Sequence, residues 1–306
     1  MNELVTNSLR WRLARAGFWL NRSRVLPRAD HLFRNVKPGT LLERRLFGYS
    51  FLCDVSRGGP PRLLYLEGER YVPEADIVLS LLKPGFRVVD IGANIGYYCL
   101  LFCKGIGENG KVVAIEPSPE NLRELRLNVE RNKLTDKVDI IASAVGDRTD
   151  IVGLRTGLNS GVTSNDAAPY RVPLDTLDNI IKGPVDLVKM DIEGYEVLAL
   201  KAASKLLSQC PILFIEIHPA EIRKLGSTAA AVVDQLRQIY DDIKVYEPRQ
   251  TGTRFGNVLR RYSGIGLINQ VQDVASYVSQ VSVRDDTLPF WAVCQARNPR
   301  RNREQR

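Results

Sequence analysis

Between Arg87 and Gly96 the hydrophobic pattern of the chain changes its period. Val88, Val89 and Ile91 make an apolar run too short for a helix, while beyond Gly92 the apolar positions Ile95, Cys99 and Phe102 fall at helical intervals. The pattern predicts a buried strand, a glycine turn and a helix. Similar alternation continues downstream. Strands are predicted at Lys111–Glu116, Val138–Ala144, Tyr170–Leu174, Val185–Met190, Ile212–Ile217, Ile243–Tyr246 and Phe290–Ala296. Helical patterns occupy Pro119–Arg131, a short stretch after Leu174, Glu193–Leu207 and Ala229–Tyr240. Strands separated by helical segments imply a doubly wound parallel sheet. Residues 148–170 read as a polar excursion, and residues 248–288 as an irregular insertion carrying Arg249, Arg254, Arg260 and Arg261.

Upstream of the first core strand the pattern is looser. Arg45–Val55 mixes aromatic, apolar and polar residues, Ser56–Pro61 is a turn cluster, Arg62–Tyr65 reads as extended, and Pro73–Leu82 as a helix. The chain therefore divides into an N-terminal extension (1–40), a small hairpin and helix subdomain (41–84), the main domain (85–297) and a tail (298–306).

The glycine turn is a candidate ligand site. Glycines allow close approach to the backbone, and the helix behind them offers unpaired N–H groups. The second strand ends in Glu116, 20 residues after Gly96, where dinucleotide-type folds place a carboxylate on the ribose hydroxyls. Asn94 stands where a dinucleotide site has its second glycine, which argues against a pyrophosphate-bearing cofactor.

Three strand ends at the carboxyl edge are polar. They contribute Asp90 with Asn94, Asp191 with Glu193, and Glu216 with His218; the last two share a face of one strand. His218, one of two histidines, has an unperturbed pKa near working pH and is the first candidate for a general base, with Asp191, Glu193 and Glu216 beside it. Against this, Asp191 and Glu193 can serve simply to cap the next helix, and His218 to close a strand. Carboxylates with an imidazole also suit Mg2+ or Mn2+, but no compact ligand motif is visible and a metal is not favoured.

Five blocks carry a family resemblance: Val-Val-Asp-Ile-Gly-Ala-Asn-Ile-Gly-Tyr-Tyr (88–98), Ala-Ile-Glu-Pro (114–117), Leu-Asp-Thr-Leu (174–177), Val-Lys-Met-Asp-Ile-Glu-Gly-Tyr-Glu (188–196) and Phe-Ile-Glu-Ile-His (214–218). In this order the chain resembles the FkbM-type methyltransferases over roughly residues 65–219. The resemblance implies a Rossmann-like class I methyltransferase fold, with a seven-stranded, mostly parallel sheet whose last strand is antiparallel. It implies S-adenosylmethionine held by Asp90, Gly92, Ala93, Asn94, Gly96, Glu116, Ser143 and Ala144. It also implies a loop near the substrate at Asn159, Ser160 and Gly161, and O-methylation of a sugar, glycan, glycolipid or secondary metabolite. Tyr71-Val72-Pro73-Glu74 matches a family segment loosely, and no role is carried onto Glu74. A nucleic-acid methyltransferase and a catalytically silent module with the same fold are the alternatives; the first lacks the Asn/Asp-Pro-Pro-aromatic run used on base amino groups.

Composition adds a boundary condition. The net charge of +8 lies at the ends: residues 1–50 carry +7 and residues 297–306 carry +4, leaving −3 between them. Leu9–Leu20, with Trp11, Trp19, Arg10, Arg12 and Arg15, can form a helix that packs on the domain or a partner subunit, lies on an anionic membrane or touches a nucleic acid. The tail has no aromatic residue for base stacking, which lowers the nucleic-acid reading. No apolar run reaches the ~18 residues of a membrane span, and no secretory leader is evident. The cysteines Cys53, Cys99, Cys103, Cys210 and Cys294 are odd in number and scattered in apolar surroundings, as expected in a reducing cytoplasm; the Cys99/Cys103 pair reads as core packing.

Overall fold

A computed structural model describes residues 36–71, 74–155, 161–163, 168–248, 268–283 and 289–296. Strands β1 (Leu41–Leu46) and β2 (Tyr49–Asp54) form the expected hairpin, closed by Phe47 and Gly48 with φ of 55° and 92°. Two positive φ values at a two-residue loop match the right-handed twist of the paired strands. Beyond it the sequence expectation fails: Gly59–Glu67 is a helix, not a turn cluster followed by an extended run. Pro60 and Pro61 sit in its first turn, where a missing N–H breaks no helical bond. The helix predicted over Pro73–Leu82 is present as Ala75–Leu81.

The core strands follow as β3 (Arg87–Ile91), β4 (Lys111–Ile115), β5 (Val138–Ile141), β6 (Ala144–Val145), β7 (Asp150–Arg155), β8 (Gly161–Thr163) and β9 (Tyr170–Asp175). The second half adds β10 (Leu187–Met190), β11 (Ile212–Ile217), β12 (Asp242–Pro248), β13 (Ile268–Gln270) and β14 (Phe290–Gln295). The main sheet has the order β13-β12-β14-β11-β10-β3-β4-β5. Pairing is parallel from β11 through β10, β3 and β4 to β5, and β14 runs antiparallel to both β11 and β12. The seven expected strands are all present, the last antiparallel. An eighth, β13, lies on the outer edge, within the stretch read as an irregular insertion, which also contains the helix Val274–Val283.

Alternation along each strand feeds two apolar layers. Val88, Val112, Leu187 and Phe214 pack on one face with the helices Tyr97–Gly105 and Pro119–Arg131. Val89, Val113, Val188 and Ile215 pack on the other with Glu196–Lys201, Ala229–Arg237 and Val274–Val283. The sheet is thus covered on both sides, and its ends at the β3/β10 boundary, where strand order reverses, are the natural site for a ligand. All five cysteines are buried and free.

Two further expectations are corrected. Residues 148–170 read as a polar excursion, but β7 and β8 lie within the stretch and join β6 and β9 in a second, four-stranded sheet, order β6-β9-β7-β8. The strand predicted over Val138–Ala144 is divided between the two sheets, because Ala142 and Ser143 lead from β5 into β6. Leu154, Val172 and Leu174 give the small sheet its buried side. The helix predicted over Glu193–Leu207 begins at Glu196 and is interrupted after Lys201, resuming at Ser204. There the Asp178 carboxylate accepts from the Lys205 and Leu206 amides at 3.2 and 2.8 Å, so a residue from another element caps a new helix start. No helix among the described residues is long and apolar enough to cross a membrane.

Candidate functional site

The β3 turn is fixed from both sides. Gly92 and Ala93 donate their amides to the Ile115 carbonyl at 2.9 and 3.1 Å, tying the turn to β4. A side chain on Gly92 (φ 78°) would place its Cβ 1.8 Å from the Asp191 backbone oxygen, so glycine here lets the loop after β10 close onto the turn. Gly96 (φ 95°) heads the following helix, and a Cβ there would meet Leu125 at 2.9 Å. Asn94 has φ 51°; its side-chain oxygen accepts from the Ile95 amide at 2.8 Å. Asparagine tolerates this left-handed conformation better than most residues, which explains its place between two glycines.

Glu116 stands at the end of β4, as its position in the sequence predicts. One of its oxygens accepts from the Asn94 amide at 2.9 Å, and the other from the Ser118 amide and the Asn121 side-chain amide at 2.9 and 3.1 Å. Burial pushes its carboxyl up, opposed by those bonds. A carboxylate has about four acceptor positions, so one remains after these three bonds.

Around these residues opens a cleft of about 620 Å³, counted with the space at its mouth. Gly92, Asn94, Glu116, Ser143 and Ala144 line it, with Ile115, Pro117 and Val145 as apolar walls. Those residues fit S-adenosylmethionine: the spare acceptor position of Glu116 suits a ribose hydroxyl, the apolar walls suit an adenine, and the glycine turn gives close access to the backbone. Asp90, Ala93 and Gly96 do not line the cleft. Gly161 lines it from the small sheet, whereas Asn159 and Ser160 lie outside the described residues.

Asp191 and Glu193 line the same cleft. Neither caps a helix in the manner considered from the sequence: the next helix begins at Glu196 with Tyr195 before it, and Glu193 adopts φ 54°. Behind them His218 is buried, its Nε2 lying 3.7 Å from Asp191 Oδ1, 3.6 Å from Glu193 Oε2 and 3.8 Å from Glu216 Oε1. The structure thus brings all four candidate catalytic residues together. His218 and Glu216 reach the cleft only through Asp191 and Glu193.

Three further residues were not assigned a role from the sequence. Glu196, fully buried, is 2.8 Å from His218 Nδ1; a carboxylate only accepts, so Nδ1 is the donor and Nε2 faces the three other carboxylates. Lys189 is buried in the middle of β10, with Nζ 3.3 Å from Asp90 Oδ1, 3.5 Å from Asp191 Oδ2, 3.2 Å from the Gly92 carbonyl and 4.6 Å from the Tyr98 ring centre. Glu74, also buried, accepts from the Tyr98 hydroxyl at 2.6 Å. The signal for Lys189 and Asp90 was present, since each is a single charge near the end of an apolar strand.

The electrostatics are correspondingly strained. Burial works against charge on His218, but Glu196, then Glu216 and Asp191, outweigh it and hold the imidazole well above its ordinary value. Burial likewise opposes the Lys189 ammonium, and Asp90, Asp191 and Glu216 reverse the effect. Burial followed by repulsion from Asp191 drives Glu216 well upward, while burial lifts Glu74 to about 7 against the Tyr98 bond.

Comparison with known proteins identifies the family. Residues 90–242, half of the chain, match the family described as Methyltransferase FkbM domain. Among curated proteins, catechol O-methyltransferase of Mycobacterium tuberculosis is 25% identical over 107 residues, 35% of this chain and 36% of its own. Protein-L-isoaspartate O-methyltransferase 1 of Arabidopsis thaliana is 34% identical over 68 residues, 22% of this chain and 30% of its own. The chain therefore spans about a third of the length of these curated relatives. A crystal structure of methyltransferase FkbM from Methylobacillus flagellatus overlays with a TM-score of 0.42 at 23% identity, covering 63% of this chain and 52% of that one. The matched region contains the glycine turn, Glu116, Lys189 and the Asp191, Glu193, Glu196, Glu216 and His218 cluster, and the chain belongs to the FkbM methyltransferase family.

Proposed function

We propose that this protein transfers the methyl group of S-adenosylmethionine to a hydroxyl of a small acceptor: a sugar, a glycan or glycolipid headgroup, or a secondary metabolite. One observation carries the reading. Glu116 and Asn94 line the same cleft as Asp191 and Glu193, so a cofactor anchored there by its ribose shares the space with two carboxylates. Two of the curated relatives are named as O-methyltransferases, which supports an oxygen acceptor.

The methyl donor brings its own electrophile, and the chain's residues supply position and a place for the proton. Held by Glu116 and the glycine turn, S-adenosylmethionine would supply an electrophilic methyl carbon, and Asp191 or Glu193 would accept the proton of the attacking hydroxyl. His218, held by Glu196, orients these two carboxylates from behind, and Lys189 holds Asp191 from below the turn.

The test is calorimetry with S-adenosylmethionine, followed by transfer of labelled methyl to a panel of catechols, monosaccharides and glycolipids. Binding and a labelled ether are the expected results. Glu116→Ala should weaken cofactor binding by about 1 to 3 kcal/mol, because a ribose hydroxyl in the cleft would lose its charged acceptor. Asp191→Asn should leave cofactor affinity intact and lower turnover by ~10² to 10⁴ if it accepts the proton. Absence of cofactor binding would overturn the proposal, and label found only on RNA or amines would remove the hydroxyl acceptor.

A further inference from the structure

We infer that Asp191, Glu193 and His218 form a binding site for a divalent cation of the Mg2+ or Mn2+ type in the wall of the cleft; its role, though not its existence, rests on the methyl-transfer reading above. The first observation is the spacing around His218 Nε2. Three carboxylate oxygens stand 3.6 to 3.8 Å from it, beyond hydrogen-bond length, whereas Nδ1 meets Glu196 at 2.8 Å. Groups that only shared a proton would close to that shorter distance. Ligands around one ion do not close, since metal–ligand bonds of about 2.0 to 2.3 Å keep neighbouring ligand atoms ~3 to 4.5 Å apart. One atom each from Asp191, Glu193 and His218 fall within 4.8 Å of one another.

The second observation is the support behind the histidine. Glu196 accepts the hydrogen bond from Nδ1, so Nε2 is the nitrogen that gives up its proton when an ion binds, the carboxylate–histidine arrangement typical of metal sites. The third is surplus negative charge. Six acidic side chains, Asp90, Asp191, Glu193, Glu196, Glu216 and Glu74, crowd around one lysine, Lys189, and His218, and burial already pushes Glu216 and Glu74 toward their neutral forms. Glu74 Oε2 and Glu196 Oε2 are buried without a hydrogen-bond partner, and Asp191 and Glu74 lie close enough to repel each other. A dication compensates such a cluster. Two carboxylates with one imidazole suit a hard to borderline ion, and both carboxylates face the cleft, which gives the ion a route in.

The experiment is titration of the metal-stripped full-length protein with Mn2+, followed by electron paramagnetic resonance, with cofactor binding measured separately by calorimetry. One Mn2+ per chain is expected, with affinity lowered at least tenfold in both His218→Asn and Glu193→Gln. Glu193 is 24% exposed, so its variant keeps the test meaningful should the His218 variant misfold. A wild-type chain that takes up no Mn2+ overturns the inference, as does unchanged Mn2+ affinity in folded Glu193→Gln. Cofactor binding without Mn2+ leaves the methyl-transfer reading standing and removes the metal. Mn2+ binding without cofactor upholds the metal site and removes the methyl-transfer reading.

Discussion

Lys189 is paired with Asp90 directly across the β10–β3 ladder, both fully within the sheet. Two opposite charges taken out of water hold each other, and removing one leaves the other buried without compensation. Lys189→Met should therefore destabilise the protein by about 3 to 5 kcal/mol in urea unfolding, and adding Asp90→Asn should recover part of that loss. Equal stability of Lys189→Met and wild type would show that the pair contributes nothing. Each charge was visible in its strand segment, Leu-Val-Lys-Met and Arg-Val-Val-Asp-Ile. What the sequence did not show was that pairing of strands about a hundred residues apart sets them opposite each other.

At the scale of elements, the helix Pro119–Arg131 does more than cover the sheet. Glu124, Asn128 and Asn132, at intervals of four, present a polar row to β2 along the edge where, among the described residues, it has no strand partner. Asn128 accepts from the Leu52 amide at 2.6 Å and donates to the Leu52 and Ile95 carbonyls at 3.1 and 2.8 Å. Asn132 exchanges two bonds with Ser50, and Glu124 accepts from the Asp54 amide at 2.9 Å while pairing with Arg57 at 2.5 Å. One helix face thus ties the hairpin to Ile95 in the glycine turn. Asn128→Ala should cost about 1 to 3 kcal/mol by leaving buried backbone groups unpaired, with faster hydrogen exchange at the Leu52 amide as its local signature. Exchange at Leu52 unchanged from wild type would contradict the bridging role. In the sequence, Asn128 reads as one more polar position on an amphipathic helix, because nothing local distinguishes a solvated face from one that meets a strand edge.

For the whole molecule, β14 is the piece that completes the sheet from the far end of the sequence. It lies between β11 and β12, so the edge strands β12 and β13 join the sheet through it. Phe290, Ala292 and Cys294 are fully buried on one of its faces. A chain ending at residue 289 should lose cooperative thermal unfolding, since β11 would expose its edge and β12 would lose its hydrogen-bonded link to the core. A sharp two-state transition in that truncation would show that the core is complete without β14. The basic segments 1–35 and 297–306, with their membrane and nucleic-acid readings, lie outside the described residues.

The local order of the chain determined much of this protein. Period-two apolar runs, glycines after β3 and the interval from Gly96 to Glu116 were enough to place a parallel core and a cofactor turn, because they depend on residues close in sequence. Helix at Gly59–Glu67, the second sheet and the eighth strand were not legible, since prolines serve turns and first helical turns alike and short strands gain their partners from distant segments. Tertiary structure alone decided the chemistry of the polar cluster beside the turn. It set Glu196 behind His218, put Lys189 against Asp90, and gathered Asp191, Glu193, Glu216 and His218 from two strand ends into one buried cluster. Charge at a site depends on distance and burial, and both are fixed only when the strands pair.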